Sequence, residues 1–170
     1  MERIGRVLNP IDYIDIDGPC IFLAGPIRGT WDWQEEAIKI ISDNDPDINI
    51  ANPRISEENV NNIKSGVYGK QADWETFYLN RSADNGVIIF WLALKTHEVE
   101  GRSYAQTSRF ELAEWITKAR YKRVNLSIGI EKGFHGSRYI KHRVLQIFPD
   151  FQFSTTLEDT CLMAIDLIRS

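Results

Sequence analysis

The chain predicts an α/β fold, a single doubly wound parallel-sheet domain of about five strands with helices on both faces. Two observations predict it. Short continuous apolar runs alternate with segments of helical periodicity almost throughout, the order that produces a parallel sheet covered on both sides. The two strongest of those runs, "CIFLAG" at Cys20–Gly25 and "GVIIFWLAL" at Gly86–Leu94, are apolar at every position rather than at alternate ones, as strands buried on both faces must be. A length of 170 residues is enough for one core, and neither an internal repeat nor a linker divides it, so residues 1–170 read as one domain.

Each element follows from its own pattern. Gly25-Pro26 ends the first run, and Trp33, Ala37, Ile40 and Ile41 then recur with the period of a one-sided helix. A second strand spans Ile48–Ala51 and stops at Pro53. The polar stretch from Ser56 to Lys70 reads as a loop, and a helix follows from about Ala72 to Ser82. After the Gly86 strand come a helix from about Gln106 to Ala119 and a strand around Val124–Ile130. The final helix opens near Thr155, with Leu157, Cys161, Ala164, Ile165 and Ile168 on one face. Between them, "VLQIF" at Val144–Phe148 suggests a short late strand.

Composition bounds the partners. With 43% hydrophobic and 26% charged residues and a formal net charge of −4, the chain has the make-up of a soluble globular protein. No long Lys/Arg run suggests a polymeric nucleic acid as ligand. No apolar run reaches membrane-spanning length, and the first residues lack a signal-peptide core, so a cytoplasmic location without membrane contact is expected. Cys20 and Cys161 each sit in apolar surroundings and read as two buried thiols, and His97, His135 and His142 show no metal-ligand spacing, so no metal is expected.

In a doubly wound sheet, ligands bind at the carboxyl ends of the strands where the strand order reverses. Three segments converge there. In "AGPIRGTWDW", Gly25 and Gly29 allow close backbone approach, Pro26 shapes the turn, the following helix start offers N–H groups to an anion, and Arg28 offers a forked charge. An ordinary turn with a solvated Arg28 explains the same stretch equally well. Trp33 belongs to the apolar stripe and Trp31 lies off it. In "QADWETFYLNRSADNG", the acids Asp73 and Glu75 flank Trp74, with Tyr78 one turn on, a set suited to sugar hydroxyls and a stacked base; an amphipathic helix with solvated acids is the plainer explanation.

In "SYAQTSRFELAEW", Glu111 stands close behind a helix start, where a carboxylate is a ready nucleophile or a partner for a developing sugar cation. Ser108-Arg109-Phe110-Glu111 also matches a capping box, in which Glu111 does no more than bond the Ser108 amide.

Taken in order, "IFLAGPIRGTWDWQ", "WETFYLNRSADNGVIIFWL" and "RSYAQTSRFELAEW" resemble the nucleoside 2-deoxyribosyltransferase-like family, over roughly Cys20 to Trp115. The loop Gly25-Pro26-Ile27-Arg28-Gly29 is similar to that of related deoxynucleoside-monophosphate N-glycosidases, where the Arg-Gly form accompanies a 5′-phosphate on the substrate. The resemblance implies a flavodoxin-like or Rossmann-like fold and an enzyme of nucleotide metabolism. It would cleave the N-glycosidic bond of a 2′-deoxynucleoside or its 5′-monophosphate and pass the sugar to another base or to water, without cofactor.

It also implies Glu111 as the catalytic nucleophile, with Glu111-Leu112-Ala113 standing where the family has Glu-Leu-Gly. Glu75 or Asp73 would be the sugar-orienting acid. Gly25 and Arg28 would hold the 5′ end, and Trp31, Trp74 or Tyr78 would stack on the base. Tyr104, Gln106 and Thr107 occupy the segment where the family carries a second acid. Members of the family often form dimers or larger oligomers, so a homo-oligomer is implied too. Two other functions suit the same topology: a nucleotide-binding sensor that does not turn its ligand over, and a flavodoxin-like electron carrier.

Overall fold

The computed structural model describes residues 4–55 and 67–170. Five parallel strands form one sheet: β1 (Val7–Leu8), β2 (Cys20–Ala24), β3 (Asn49–Ala51), β4 (Gly86–Leu92) and β5 (Leu126–Ile130), in spatial order β1-β3-β2-β4-β5. Five helices are described: α1 (Trp33–Asn44), α2 (Val67–Asp84), α3 (Gln106–Tyr121), α4 (Ser137–Ile147) and α5 (Leu157–Arg169). The chain steps from β2 outward to β3 and then returns to β4 on the other side of β2. The order therefore reverses between β2 and β4, and the carboxyl ends of those two strands frame the crevice. This is the doubly wound, Rossmann-like α/β architecture that the sequence pattern predicts.

Strands β2, β3 and β5 are buried at every position, and β4 at every position but its first. One face packs Phe22, Ile88, Phe90 and Ile128 under α2, α3 and α4, through Trp74, Tyr78, Leu112, Trp115 and Val144. The other packs Ile21, Leu23, Val87, Ile89 and Trp91 under α1 and α5, through Trp33, Ala37, Ile41, Cys161 and Ile165. At roughly 2 kcal/mol for each large apolar side chain buried, these two layers supply the main driving force for the fold. The thiols of Cys20 and Cys161 are free and buried, as expected, on opposite faces of the sheet.

Local chemistry sets the helix ends. Asp32 caps α1 by accepting from the Glu35 amide at 3.1 Å, and Thr156 caps α5 by accepting from the Asp159 amide at 3.1 Å. Arg169, in the last turn of α5, reaches Asp45 and the carbonyl of Asn44, tying the C-terminus to the end of α1.

Two expectations are corrected. The residues Val67–Lys70, read as loop, are the first turn of α2; the rest of that loop, 56–66, lies outside the described residues. The "VLQIF" segment is helical, because Ile140, Val144 and Ile147 share one side of α4 and pack on the α3 face of the sheet. The late strand shrinks to a parallel bridge at Ser154, which exchanges backbone bonds with Ile128 and Ile130 and covers the edge of β5. The short edge strand β1 carries too little pattern to be read from sequence.

Gly86 marks the tightest backbone approach in the sheet. A Cβ there would lie 1.9 Å from the Cys20 carbonyl oxygen, so β2 and β4 can pair at this point only around a glycine. Gly86→Ala is expected to lower the unfolding free energy by about 3 kcal/mol or more, measured by urea denaturation. A loss under about 1 kcal/mol would show that the strand ends shift without penalty.

Candidate functional site

At the carboxyl edge, α2 and α3 lie on the same face of the sheet and bring Glu75 and Glu111 together. Both residues are half-buried. Burial first, and then the negative charges of Glu75 and Glu114, push the Glu111 carboxyl up to about 8. Burial raises Glu75 as well, against a hydrogen bond from Gln71. The Gln71 amide donates to Glu75 Oε1 at 3.0 Å and to the Pro53 carbonyl at 3.3 Å, which fixes Glu75 relative to the end of β3. Two half-buried carboxyls that oppose each other's ionisation keep a proton on Glu111 into the neutral range.

The capping-box alternative for Glu111 is not what the chain does. Helix α3 starts at Gln106, so Ser108 lies inside its first turn and Glu111 in its second. The residue that begins the helix is Ala105, in the left-handed conformation at φ 58° and ψ 23°, and no side chain caps it. Glu111 is therefore released from backbone duty. It also lies beyond the first-turn position, where the helix dipole acts most strongly.

The other expected site residues divide sharply. Asp73 is exposed, whereas Glu75 is half-buried and its charge acts on Glu111. Trp74 and Tyr78 are fully buried: the Trp74 indole N–H donates to the Asp12 carbonyl at 2.9 Å, and the Tyr78 hydroxyl bonds the backbone of Ile14. Neither ring has a free face for a base, because their helix positions point at β2 rather than at the crevice. Of the three aromatics expected to stack, Trp31 remains open, 42% exposed beside the Gly loop.

In the Gly loop, structure accounts for much of what the sequence left open. A Cβ on Gly25 would meet the Trp91 carbonyl oxygen at 2.3 Å, and Gly29, at φ 86°, packs under the Tyr104 ring. The Pro26 carbonyl accepts from the Trp33 indole at 2.8 Å. The start of α1 is already occupied, since Asp32 takes the Glu35 amide and pairs with Arg54 at 3.1 Å. Asp32 thus takes one of the N–H groups the sequence offers to an anion there, while Arg28 is exposed and without an ion pair among the described residues. Tyr104 is half-buried, its hydroxyl donating to the Ala93 carbonyl at 2.6 Å, and Gln106 is exposed at the head of α3.

Four residues at this edge escaped the sequence reading. Arg54 donates to Gln34 at 3.0 Å and to the Ile27 and Trp31 carbonyls at 3.1 Å, holding the Gly loop to the end of β3. Gln71 orients Glu75, Thr30 donates to the Leu94 carbonyl at 2.7 Å, and the Glu131 carboxylate accepts from the Leu94 amide at 2.7 Å. Position alone would have found two of them, since Arg54 and Glu131 are the first charged residues after β3 and β5. A comparison with protein-family models and with curated proteins finds no match to this chain.

The buried pair links the site to stability. Between about 4.5, the ordinary Glu value, and 8, the folded chain holds a proton on Glu111 that the unfolded chain has lost. The unfolded state binds fewer protons there, so stability falls as pH rises through that window and levels off above 8. Glu111→Gln removes the penalty. It is expected to be more stable than the parent by on the order of 3 kcal/mol at pH 8, with the gap closing toward pH 4, by denaturant melts across pH. A gap independent of pH would show that Glu111 is not the titrating group.

Proposed function

We propose that the chain is a glycosyl-bond enzyme acting on a 2′-deoxynucleoside or its 5′-monophosphate, with Glu111 as nucleophile. The observation that carries this reading is the meeting of Glu75 and Glu111 at the carboxyl edge of the sheet, with Glu111 free of any capping role. It joins the resemblance of the three sequence segments to deoxyribosyltransferases.

The chemistry runs as in a retaining glycosidase. Ionised Glu111 attacks C1′ while the bond from C1′ to the base nitrogen breaks, and the base leaves with that electron pair and takes up a proton from solvent. A deoxyribosyl ester of Glu111 results. Water or a second base then attacks C1′, and Glu111 departs as the carboxylate. Glu75, fixed by Gln71, orients the sugar hydroxyls. Its charge opposes ionisation of Glu111 in the empty site and favours the cationic sugar once that forms. A sugar lacking the 2′-hydroxyl reaches that cation more readily, which supports a deoxy preference. Arg28 suits the 5′ end, and the exposed Trp31 ring suits stacking on the base.

Incubation with a panel of deoxynucleosides and their 5′-monophosphates, with and without a free acceptor base, is expected to release base. Chromatography distinguishes exchange from hydrolysis. Glu111→Gln should reduce turnover by about 10³-fold or more while the fold survives. Binding without turnover on any member of the panel would instead leave a nucleotide sensor. The pH profile separates roles: kcat/KM of the parent should rise with pH through about 8, because the ionised carboxyl is the reactive form. A profile that falls above 8 would make Glu111 the proton donor instead.

A further inference from the structure

At the carboxyl edge the β4–β5 ladder ends with the Glu131 amide donating to the Leu92 carbonyl at 3.1 Å. The next donor along β4, the Leu94 amide, has no strand carbonyl to meet. The Glu131 side chain takes that place, accepting the Leu94 amide on Oε2 at 2.7 Å, so a carboxylate extends the ladder by one rung.

Leu94 is a junction. Its carbonyl accepts from the Thr30 hydroxyl at 2.7 Å, and just beyond it the Thr96 and His97 amides donate to the Gly29 carbonyl at 2.8 and 3.3 Å. The far end of the same connection returns to the same place: the Tyr104 hydroxyl donates to the Ala93 carbonyl at 2.6 Å, and Tyr104 immediately precedes Ala105, from which α3 and Glu111 follow. The Gly loop on one side and the Glu111 helix on the other are thus both fastened to Ala93-Leu94, and Glu131 is what holds Leu94 to the sheet.

We propose that Glu131 is a positioning residue, whose carboxylate holds the β4–α3 connection so that the Gly25–Gly29 loop and Glu111 keep one fixed spacing. Its kinetic consequence rests on the reading of Glu111 as nucleophile; its structural consequence does not. The hydrogen bond, rather than the charge, is the working feature, because the partner is a backbone N–H.

The test compares Glu131→Ala and Glu131→Gln in the full chain by steady-state kinetics and by amide hydrogen exchange. Glu131→Ala should lower kcat about 10- to 100-fold with KM changed less than about 3-fold, as misplacement of a reacting group does. Glu131→Gln, whose amide oxygen can accept the same N–H, should recover most of that loss. In the exchange experiment the Leu94, Thr96 and His97 amides should lose protection together in Glu131→Ala and regain it in Glu131→Gln.

Kinetics for Glu131→Ala equal to the parent would overturn the proposal, as would a Glu131→Gln protein no better than Glu131→Ala. Loss of protection at Leu94 alone would overturn it too, since the Gly loop would then not be coupled. Absence of turnover in the parent would defeat the enzymatic reading, and the exchange pattern would still decide whether Glu131 holds the connection. If Glu131→Ala fails to fold, the Glu131→Gln arm alone decides: parent-like exchange and kcat support the proposal and their loss overturns it.

Discussion

Everything in this molecule hangs on β4 being sealed from water on both faces. A parallel strand in the middle of a sheet pairs all its backbone groups with β2 and β5, and its side chains leave no face for solvent. Helices must therefore cover both sides. Right-handed crossovers run each helix back from the carboxyl edge, so helix beginnings and strand endings gather at one rim. That rim is where polar side chains can be exposed without opening the core. Glu75 and Glu111 reach it from two helices packed on the same side, so their proximity is a by-product of how β4 is covered.

Bringing two carboxyls together under partial burial runs against the rest of the fold, which removes charge from its interior. The surroundings restrain the pair instead of neutralising it. Gln71 steadies Glu75, and Arg54 ties the Gly loop to the end of β3 through Asp32, Gln34 and backbone carbonyls. An arginine directed at the acids would have stabilised both as carboxylates and removed the retained proton.

How much of this was legible in the sequence depends on whether a local pattern carried it. β2 and β4 were readable because burial on both faces writes itself as an almost unbroken apolar run, whereas β3 and β5, with Asn49 and Ser127 inside them, showed through their remaining apolar residues and the breaks around them. "VLQIF" misled because five residues, four of them apolar, fit a strand as well as a helix turn, and only packing against the sheet decides. Ser108 to Glu111 misled for a related reason. The capping signature is real in spacing, yet the helix starts three residues earlier, at a left-handed Ala105 that no sequence rule anticipates. Trp74 and Tyr78 were assigned to the ligand because their neighbours are acids; which helix face meets β2 is a tertiary fact. Glu131 and Gln71 act through backbone and neighbouring groups, and no motif announces such work.

The two thiols give the architecture a further property. Cys20 and Cys161 lie on opposite faces of the sheet, so no breathing short of dismantling it can join them in a disulfide. Burial raises both, Cys161 up to about 12, which keeps the nucleophilic thiolate scarce. Thiol-directed reagents thus find no reactive cysteine until the layers separate. The rate at which each sulfur becomes reactive then reports, independently for each face, how often that layer lifts from the sheet.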